Sequence, residues 1–475
     1  MNKRWAKSTE YRAVDLGGER EGKLLFRLAL PAIAAQVINL LYNLVDRMYI
    51  GHLPEIGSAA LSGVGVNLPV ILAVTAFSLL FSSGGAARAS MMMGKKKKEA
   101  AERIMGNCAA ALILAGMALT ILLQISGREI LMLFGASSHT IEYAWEYLQL
   151  YSLGTVFVQI SLGLNNFINA QGYTLMGMLT VLIGAGANIV LDPIFMFGLG
   201  MGVRGAALAT VISQGLSAAW ILSFLCSGRS FLRLKLCRMK ISARVLGPCI
   251  LLGTAPFVME FTESILNICF NVSMKAYGGD LAVGVMAVLS SIMQFALLPV
   301  IGMTQGAQPI VSYNLGAGHL ERVRKTFLLL LKSCLTYTAG LWLLIQLFPQ
   351  LFMRMFSPDE AYIAMGTWAM RIFGAGICIL GLQNACQQTF VALGNARSSL
   401  WMALLRKVFL LIPLIFLLPH LFRTQPVAAV LLAEPAADVT ASVVTAFLFF
   451  RFLKRILRQG EHPAAGSAGK ERRQV

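Results

Sequence analysis

The chain is poor in charged residues and in motifs that carry chemistry. Only 13% of its 475 residues are charged, with 22 Asp and Glu against 40 Lys and Arg. The five histidines are well separated and the eight cysteines form no CxxC pair, so we expect no metal site of that kind. The chain also has no P-loop, which argues against direct use of ATP. We therefore expect that the protein is not an enzyme and that it needs no cofactor.

Apolar segments dominate what remains. Hydrophobic residues make up 57% of the chain, in stretches of about 20 residues that are each long enough to cross a bilayer. Twelve spans can be recognised, with six in each half. This pattern predicts an all-α integral membrane protein with twelve transmembrane helices.

The second half of the chain repeats the first at an offset of 222 residues. Ser90 falls on Ser312, Gly94 on Gly316, and Gly172 on Gly394 without a gap. Such a duplication is typical of membrane transporters. Because six spans return the chain to its starting side, we expect two copies of the same orientation, related by an axis along the membrane normal.

Basic residues predict the orientation in the membrane. When the spans are placed as above, 31 of the 40 Lys and Arg fall on one side and six on the other, which puts both tails in the cytoplasm. The net charge of +18 is then a topology signal, and we expect no nucleic-acid partner. The predicted units are a cytoplasmic tail 1–23, a first lobe 24–226, a basic cytoplasmic linker 227–244, a second lobe 245–454 and a disordered tail 455–475.

Polar residues within the spans of the first half are few. Asp46 lies in span 1, Asn188 and Asp192 lie in span 5, and Thr210 lies in span 6. Asn188 and Asp192 share a helix face because they are four residues apart. Counting along each span places all four residues at one depth near the outer side. A charged group inside the membrane is costly, so this set predicts a site for a cation or a proton. The alternative is that Asp192, which precedes Pro193, only braces a bent helix.

The second half does not copy this set. At the 222 offset, Asn188 and Asp192 fall on Leu410 and Leu414. Asp46 falls on Asn271 only after a slip of three residues. The second half has its own intramembrane charges: Glu260, Glu263, Arg371, Glu434 and Asp438. Two interpretations remain open, namely that Arg371 neutralises one of these acids, or that the acids receive a cationic substrate or a second ion.

Four segments carry a resemblance to a known family. They are YNLVD (42–46), NIVLDPIF (188–195), GAALAT (205–210) and GAQPIVSYNLG (306–316). Together they resemble the multidrug and toxic compound extrusion (MATE) family, and MEFTES (259–264) and YGGDLA (277–282) are most similar to its MepA-type bacterial branch. The resemblance implies two pseudo-symmetric six-helix bundles around a central cavity, and it assigns Asp46, Asn188, Asp192 and Thr210 to the coupling-ion site of the first lobe.

The resemblance implies an efflux antiporter that exports organic cations or amphipathic drugs in exchange for H+ or Na+. We expect a monomer in the bacterial plasma (inner) membrane, with small-molecule drugs and membrane lipids as its partners. The alternatives are a lipid-linked oligosaccharide flippase of the related superfamily, an exporter of one specific metabolite, and a membrane-embedded enzyme, which the missing catalytic motifs disfavour. A flippase would need several central cations for a pyrophosphate, and only Arg371 qualifies from the sequence.

Overall fold

The computed structural model describes residues 14–54, 56–137, 140–355 and 359–461, and nearly all of them are helical. Eleven helices in this part of the chain are long and apolar enough to cross a membrane, and a pair bent by 59° makes a twelfth. This confirms the predicted count. The helices of the first lobe are α1 Glu21–Gly51, α2 Ala60–Gly94, α3 Lys98–Leu133, the bent α4 (Ile141–Leu153 and Thr155–Ala170), α5 Thr174–Gly198 and α6 Val203–Cys226.

The second lobe repeats this series of helices. Its members are α7 Ala243–Gly279, α8 Leu281–Ala317, α9 Leu320–Leu347, α10 Glu360–Ala392, α11 Ala396–Leu421 and α12 Pro426–Arg458. Only Gly279, with a φ of 65°, interrupts the helical backbone between α7 and α8. The start of α5 at Thr174 lies 222 residues before the start of α11 at Ala396. The duplication seen in the sequence is therefore a duplication of helices.

The two lobes meet through α1 on α8 and α2 on α7. A Cβ added to Gly306 would lie 2.7 Å from the Ala29 Cα, and one added to Gly84 would lie 2.2 Å from the Cys249 carbonyl oxygen. Larger residues would push these helices apart, so small residues set the close approach. Gln36 Nε2 also donates a hydrogen bond of 3.1 Å to Gln305 Oε1 across the interface.

These inter-lobe contacts lie toward the end of the molecule where α1 begins. The Phe77 and Phe257 rings make an edge contact at 5.3 Å, and on the turns beyond it Asn39 and Glu263 are exposed. Polar side chains are rarely directed at lipid, so these turns indicate a cavity that opens away from the closed end.

Two segments outside the membrane helices are docked against the lobes. In the segment before α1, the Leu16 carbonyl accepts a hydrogen bond of 2.8 Å from Asn314. In the linker, Arg238 pairs with the buried Glu102 at 2.7 Å, and the Ser242 N–H donates to Asn107 Oδ1 at 2.7 Å.

The predicted tails lie partly outside the described residues, which exclude 1–13 and 462–475. The last helix continues to Glu461, so the part of the predicted disordered tail that is described, 455–461, is helical.

Candidate functional site

The structure brings the four predicted polar residues of the first lobe together. Asn188 Nδ2 donates to Asp192 Oδ1 at 3.1 Å and contacts Thr210 Oγ1 at 3.5 Å. The carboxyl groups of Asp46 and Asp192 lie within hydrogen-bonding distance of each other. Helices α1, α5 and α6 each contribute to this group, which we call the first-lobe acid cluster (Asp46, Asn188, Asp192 and Thr210).

Three oxygen atoms in this cluster have no partner. Asp46 Oδ1, Asn188 Oδ1 and Asp192 Oδ2 are buried without a hydrogen-bond donor among the described residues. The ion pairs of the described part of the chain involve other carboxylates. Two carboxyl groups in contact cannot both remain ionised unless a cation lies between them. The cluster can therefore hold a proton or a small hard cation, which carboxylate and amide oxygens bind well.

The local sequence explains how α5 presents its two residues. Pro193 lacks an N–H and its ring crowds the preceding turn, and the helix widens to a π-helical stretch over Ile194–Gly198. Asn188 and Asp192 lie one turn apart before this widening. Asp192 accepts a side-chain hydrogen bond from Asn188, while its Oδ2 has no partner among the described residues.

Three tyrosines around the cluster were missed by the sequence analysis. Tyr147 and Tyr151 of α4 are each only 4% exposed, and their rings stack at 6.0 Å. The Tyr147 hydroxyl lies close to Thr210. Tyr42 lies one turn before Asp46 on α1, on the same face. The spacing of four residues could have identified Tyr42 from the sequence. Tyr147 and Tyr151 could not be identified in this way, because their place beside the cluster depends on the packing of α4 against other helices.

The second lobe holds a different cluster, centred on Arg406 of α11. The Arg406 guanidinium donates to Asp438 Oδ1 at 2.7 Å and to Glu434 Oε1 at 2.9 Å, and both acids lie on α12. Among the described residues, Arg406 and Lys407, and not Arg371, are the partners of Glu263, Glu434 and Asp438. The Arg371 side chain is exposed and forms no ion pair with any described residue. Arg371 belongs to α10, whereas the acids face α11.

Lys407, the next residue, forms a second pair. Its ammonium donates to the Met259 carbonyl at 2.6 Å and to the Glu263 carboxylate. Glu260, one turn before Glu263 on α7, forms no ion pair within the described part of the chain. Arg406 and Lys407 both lie in a π-helical stretch, Leu405–Leu411, in the interior of α11. We call Glu260, Glu263 and Lys407 the second-lobe cavity charges.

The location of Arg406 and Lys407 corrects the charge count. The count of 31 included the three basic residues of 392–407 as cytoplasmic, but α11 begins at Ala396, ten residues before Arg406. The Asn395 side chain caps this start by accepting from the Ser398 N–H at 3.2 Å. The match of Gly172 with Gly394 was the signal in the sequence, because it sets the start of α11 by analogy with α5.

Comparison with known proteins identifies the family. The MatE family model matches residues 31–194 and again residues 256–417, once in each lobe. The chain belongs to the MatE family. Both halves of this MATE transporter therefore derive from the same unit, as the internal repeat indicated.

Relatives and solved structures cover nearly the whole MATE chain. The multidrug export protein MepA of Staphylococcus haemolyticus (strain JCSC1435) is 23% identical over 423 residues, 89% of this chain and 92% of the relative. MepA of Staphylococcus aureus (strain NCTC 8325 / PS 47) is 23% identical over 90% of this chain and 94% of its own. A crystal structure of MATE in the bent conformation superposes with a TM-score of 0.88 at 21% identity, covering 95% of this chain and all of that one (100%). The structural likeness shows a shared fold.

Proposed function

We propose that this MATE transporter is a secondary active multidrug efflux antiporter that exports organic cations or amphipathic drugs in exchange for H+ or Na+. The observation that carries the proposal is the first-lobe acid cluster. Asp46 and Asp192 are in contact inside a membrane helix bundle and have no cationic partner among the described residues. An ion from outside the protein is the natural partner for such a pair, and its entry supplies the free energy for export.

Alternating access links this ion to the drug. The lobes are closed at one end through α1 on α8 and α2 on α7, and polar turns beyond Phe257 support a cavity that opens at the other end. Coupling requires that ion and drug prefer different states of one two-state protein. An ion that binds the first-lobe acid cluster would favour one arrangement of α1 and α5, and a drug in the cavity would favour the other. The names of the two MepA relatives support drugs as the cargo.

The flippase alternative is not favoured by the second lobe. It would need free cations in the cavity for a pyrophosphate. Arg406 and Lys407 are the cations inside α11, and both are already paired with acids.

The test uses everted membrane vesicles from a host that lacks its own drug pumps. Export from the cell appears here as uptake of ethidium into the vesicle, driven by an interior made either acidic or rich in sodium. We expect one of the two gradients to drive uptake, which also identifies the ion. Glu146→Gln, which alters an acid of a surface ion pair with Arg204, is a matched control. If neither gradient moves ethidium although the protein is present in normal amounts, the proposal fails.

We also propose that both termini are cytoplasmic and that the protein acts as a monomer in the bacterial plasma membrane. Removing Arg406 and Lys407 from the count leaves the basic asymmetry in the same direction. The closed end then faces the cytoplasm, and the cavity faces outward. Single cysteines at Lys96 or Arg324 should resist an impermeant thiol reagent added outside whole cells, and one at Gly135 should react. Strong labelling at Lys96 would reverse the orientation.

A further inference from the structure

Lys407 is an unusual residue for its place in the structure. It lies eleven residues inside α11 and its side chain is only 7% exposed. A buried ammonium inside a membrane helix bundle is costly unless it is paired. Its partners are the Met259 carbonyl at 2.6 Å and the Glu263 carboxylate. Lys407 is thus held against α7 from within the second lobe.

Glu263, the acid that pairs with Lys407, is far more exposed than the lysine. Its side chain is 52% exposed, whereas Lys407 is buried. Phe257 of α7 meets Phe77 at the closed part of the lobe interface. Glu260 and Glu263 follow three and six residues later, about 4.5 and 9 Å further along the helix. Both acids therefore lie on the turns of α7 where the cavity begins, on one helix face that Asn267 continues.

The two acids that pair with Arg406 are far less exposed than Glu263, and this contrast makes the exposure of Glu263 informative. The acids that hold Arg406 are both shielded, with side-chain exposures of 17% for Glu434 and 2% for Asp438. A diffusible cation cannot reach them without breaking the bundle. Glu263 has a free side, and Glu260 has no ion pair with any described residue. A cation in the cavity can therefore approach both acids of α7 while Lys407 stays behind them.

From this geometry we propose that Lys407 is a tethered competitor for cationic substrates and sets the charge of substrate that the cavity prefers. The proposal rests on the proposed function, because it takes organic cations as the cargo. With Lys407 in place, the two acids and one ammonium carry a net charge of −1, which matches a monocation. A substrate binds at Glu260 and shares Glu263 with the ammonium, which weakens its hold and aids its release. Without Lys407 the net charge is −2, which matches a dication.

Two dyes with the same ring system separate these states. Ethidium is a monocation, and propidium carries a second quaternary ammonium on the same phenanthridinium. We would measure the binding of both dyes by fluorescence to purified wild type and Lys407→Gln in detergent. We expect Lys407→Gln to bind propidium about tenfold more tightly than wild type and to gain less for ethidium, because a second carboxylate becomes free at close range.

Three further variants control this measurement. Lys275→Gln also removes one positive charge, but from α7, twelve residues beyond Glu263 and about 18 Å away, and should leave the propidium preference unchanged. Lys407→Arg keeps the charge and should resemble wild type. The double variant Lys407→Gln, Glu263→Gln restores the net charge of −1 and should return the preference to ethidium.

The outcomes are distinct from those of the proposed function. If folded Lys407→Gln, verified by size exclusion and thermal unfolding, gains no affinity for propidium relative to ethidium, then Lys407 is only a structural partner and the inference is overturned. Should that variant not fold, Glu260→Gln decides, since it should weaken ethidium binding to otherwise intact protein about tenfold; unchanged binding overturns the inference. Wild type that binds neither dye and exports neither would instead refute the proposed function and its class of substrate.

Discussion

The two lobes place polar clusters on corresponding helices and give them opposite electrostatic character. In the first lobe α1, α5 and α6 hold two acids that form no ion pair with a described residue, and three oxygens of the cluster have no hydrogen-bond partner there. In the second lobe α7, α11 and α12 hold Arg406 and Lys407 against Glu263, Glu434 and Asp438. Duplication has preserved the helices but not the chemistry between them.

The first-lobe acid cluster is suited to exchanging an ion, whereas the Arg406 group of the second lobe already contains its own cation. A carboxylate pair without a counter-charge inside the membrane changes its state whenever a proton or a cation arrives or leaves. Arg406 already supplies a positive charge to its two shielded acids from within the chain. The first-lobe acid cluster is therefore suited to coupling, and the Arg406 cluster is suited to holding α11 against α12. Lys407 and Glu263 lie between these extremes, since only the acid of that pair is exposed.

The largest effect is expected from removing an acid of the first lobe. Asp46→Asn or Asp192→Asn should abolish gradient-driven ethidium efflux, because the amide cannot take up the proton or neutralise the cation that the cluster exchanges. Protein amounts in the membrane should stay near normal, since an amide is cheaper than a carboxylate in this environment. Efflux assays in whole cells, with Glu146→Gln as the control, check this. Full transport by either variant would show that the coupling site lies elsewhere.

A second variant makes the first lobe resemble the second. Asn188→Leu with Asp192→Leu introduces the residues that α11 carries at the equivalent positions, Leu410 and Leu414. Purified protein should still bind ethidium, because the cavity charges of α7 are untouched. Ion gradients should no longer drive transport, since the ion has lost its differential affinity for the two states.

Two outcomes of this experiment would contradict the prediction. Loss of ethidium binding by folded protein would place Asn188 and Asp192 in the drug pocket. Gradient-driven efflux that persists would move coupling to Glu260, Glu263 or the acids of α12.

Substitution of Arg406 in the second lobe should lower the stability of the protein more than it impairs ion coupling. Arg406→Gln leaves Glu434 and Asp438 buried without a partner, which typically costs about 3–5 kcal/mol. We expect a lower thermal unfolding temperature in detergent. The triple variant Arg406→Met, Glu434→Met, Asp438→Leu removes all three charges and should recover most of that loss. If the triple variant folds well but no longer couples ions, the Arg406 cluster has a role in transport as well as in structure.

The sequence predicted the helices and the first-lobe acid cluster because both depend on local or repeated signals. Apolar length fixes a span, and the spacing of Asn188 and Asp192 fixes a helix face. It failed at Arg406 and Lys407, where two adjacent basic residues resemble a loop when charge alone is counted. Their acid partners lie 28 or more residues away, on α12 and α7. Only packing of α11 between these helices explains why the charges are tolerated there.

The smallest effect is expected from the tyrosines that surround the first-lobe acid cluster. Tyr147 is only 4% exposed, and its hydroxyl lies close to Thr210. Tyr147→Phe removes a hydroxyl close to Thr210 and leaves both acids in place; a polar contact of this kind is worth about 1 kcal/mol. We expect transport to continue with about a fivefold higher ion concentration at half-maximal rate. Titrating efflux against the coupling ion measures this, and Tyr143→Phe, on the same helix, is the control. A loss as complete as that of Asp46→Asn would mean that the tyrosine hydroxyl, and not the acid pair alone, holds the ion.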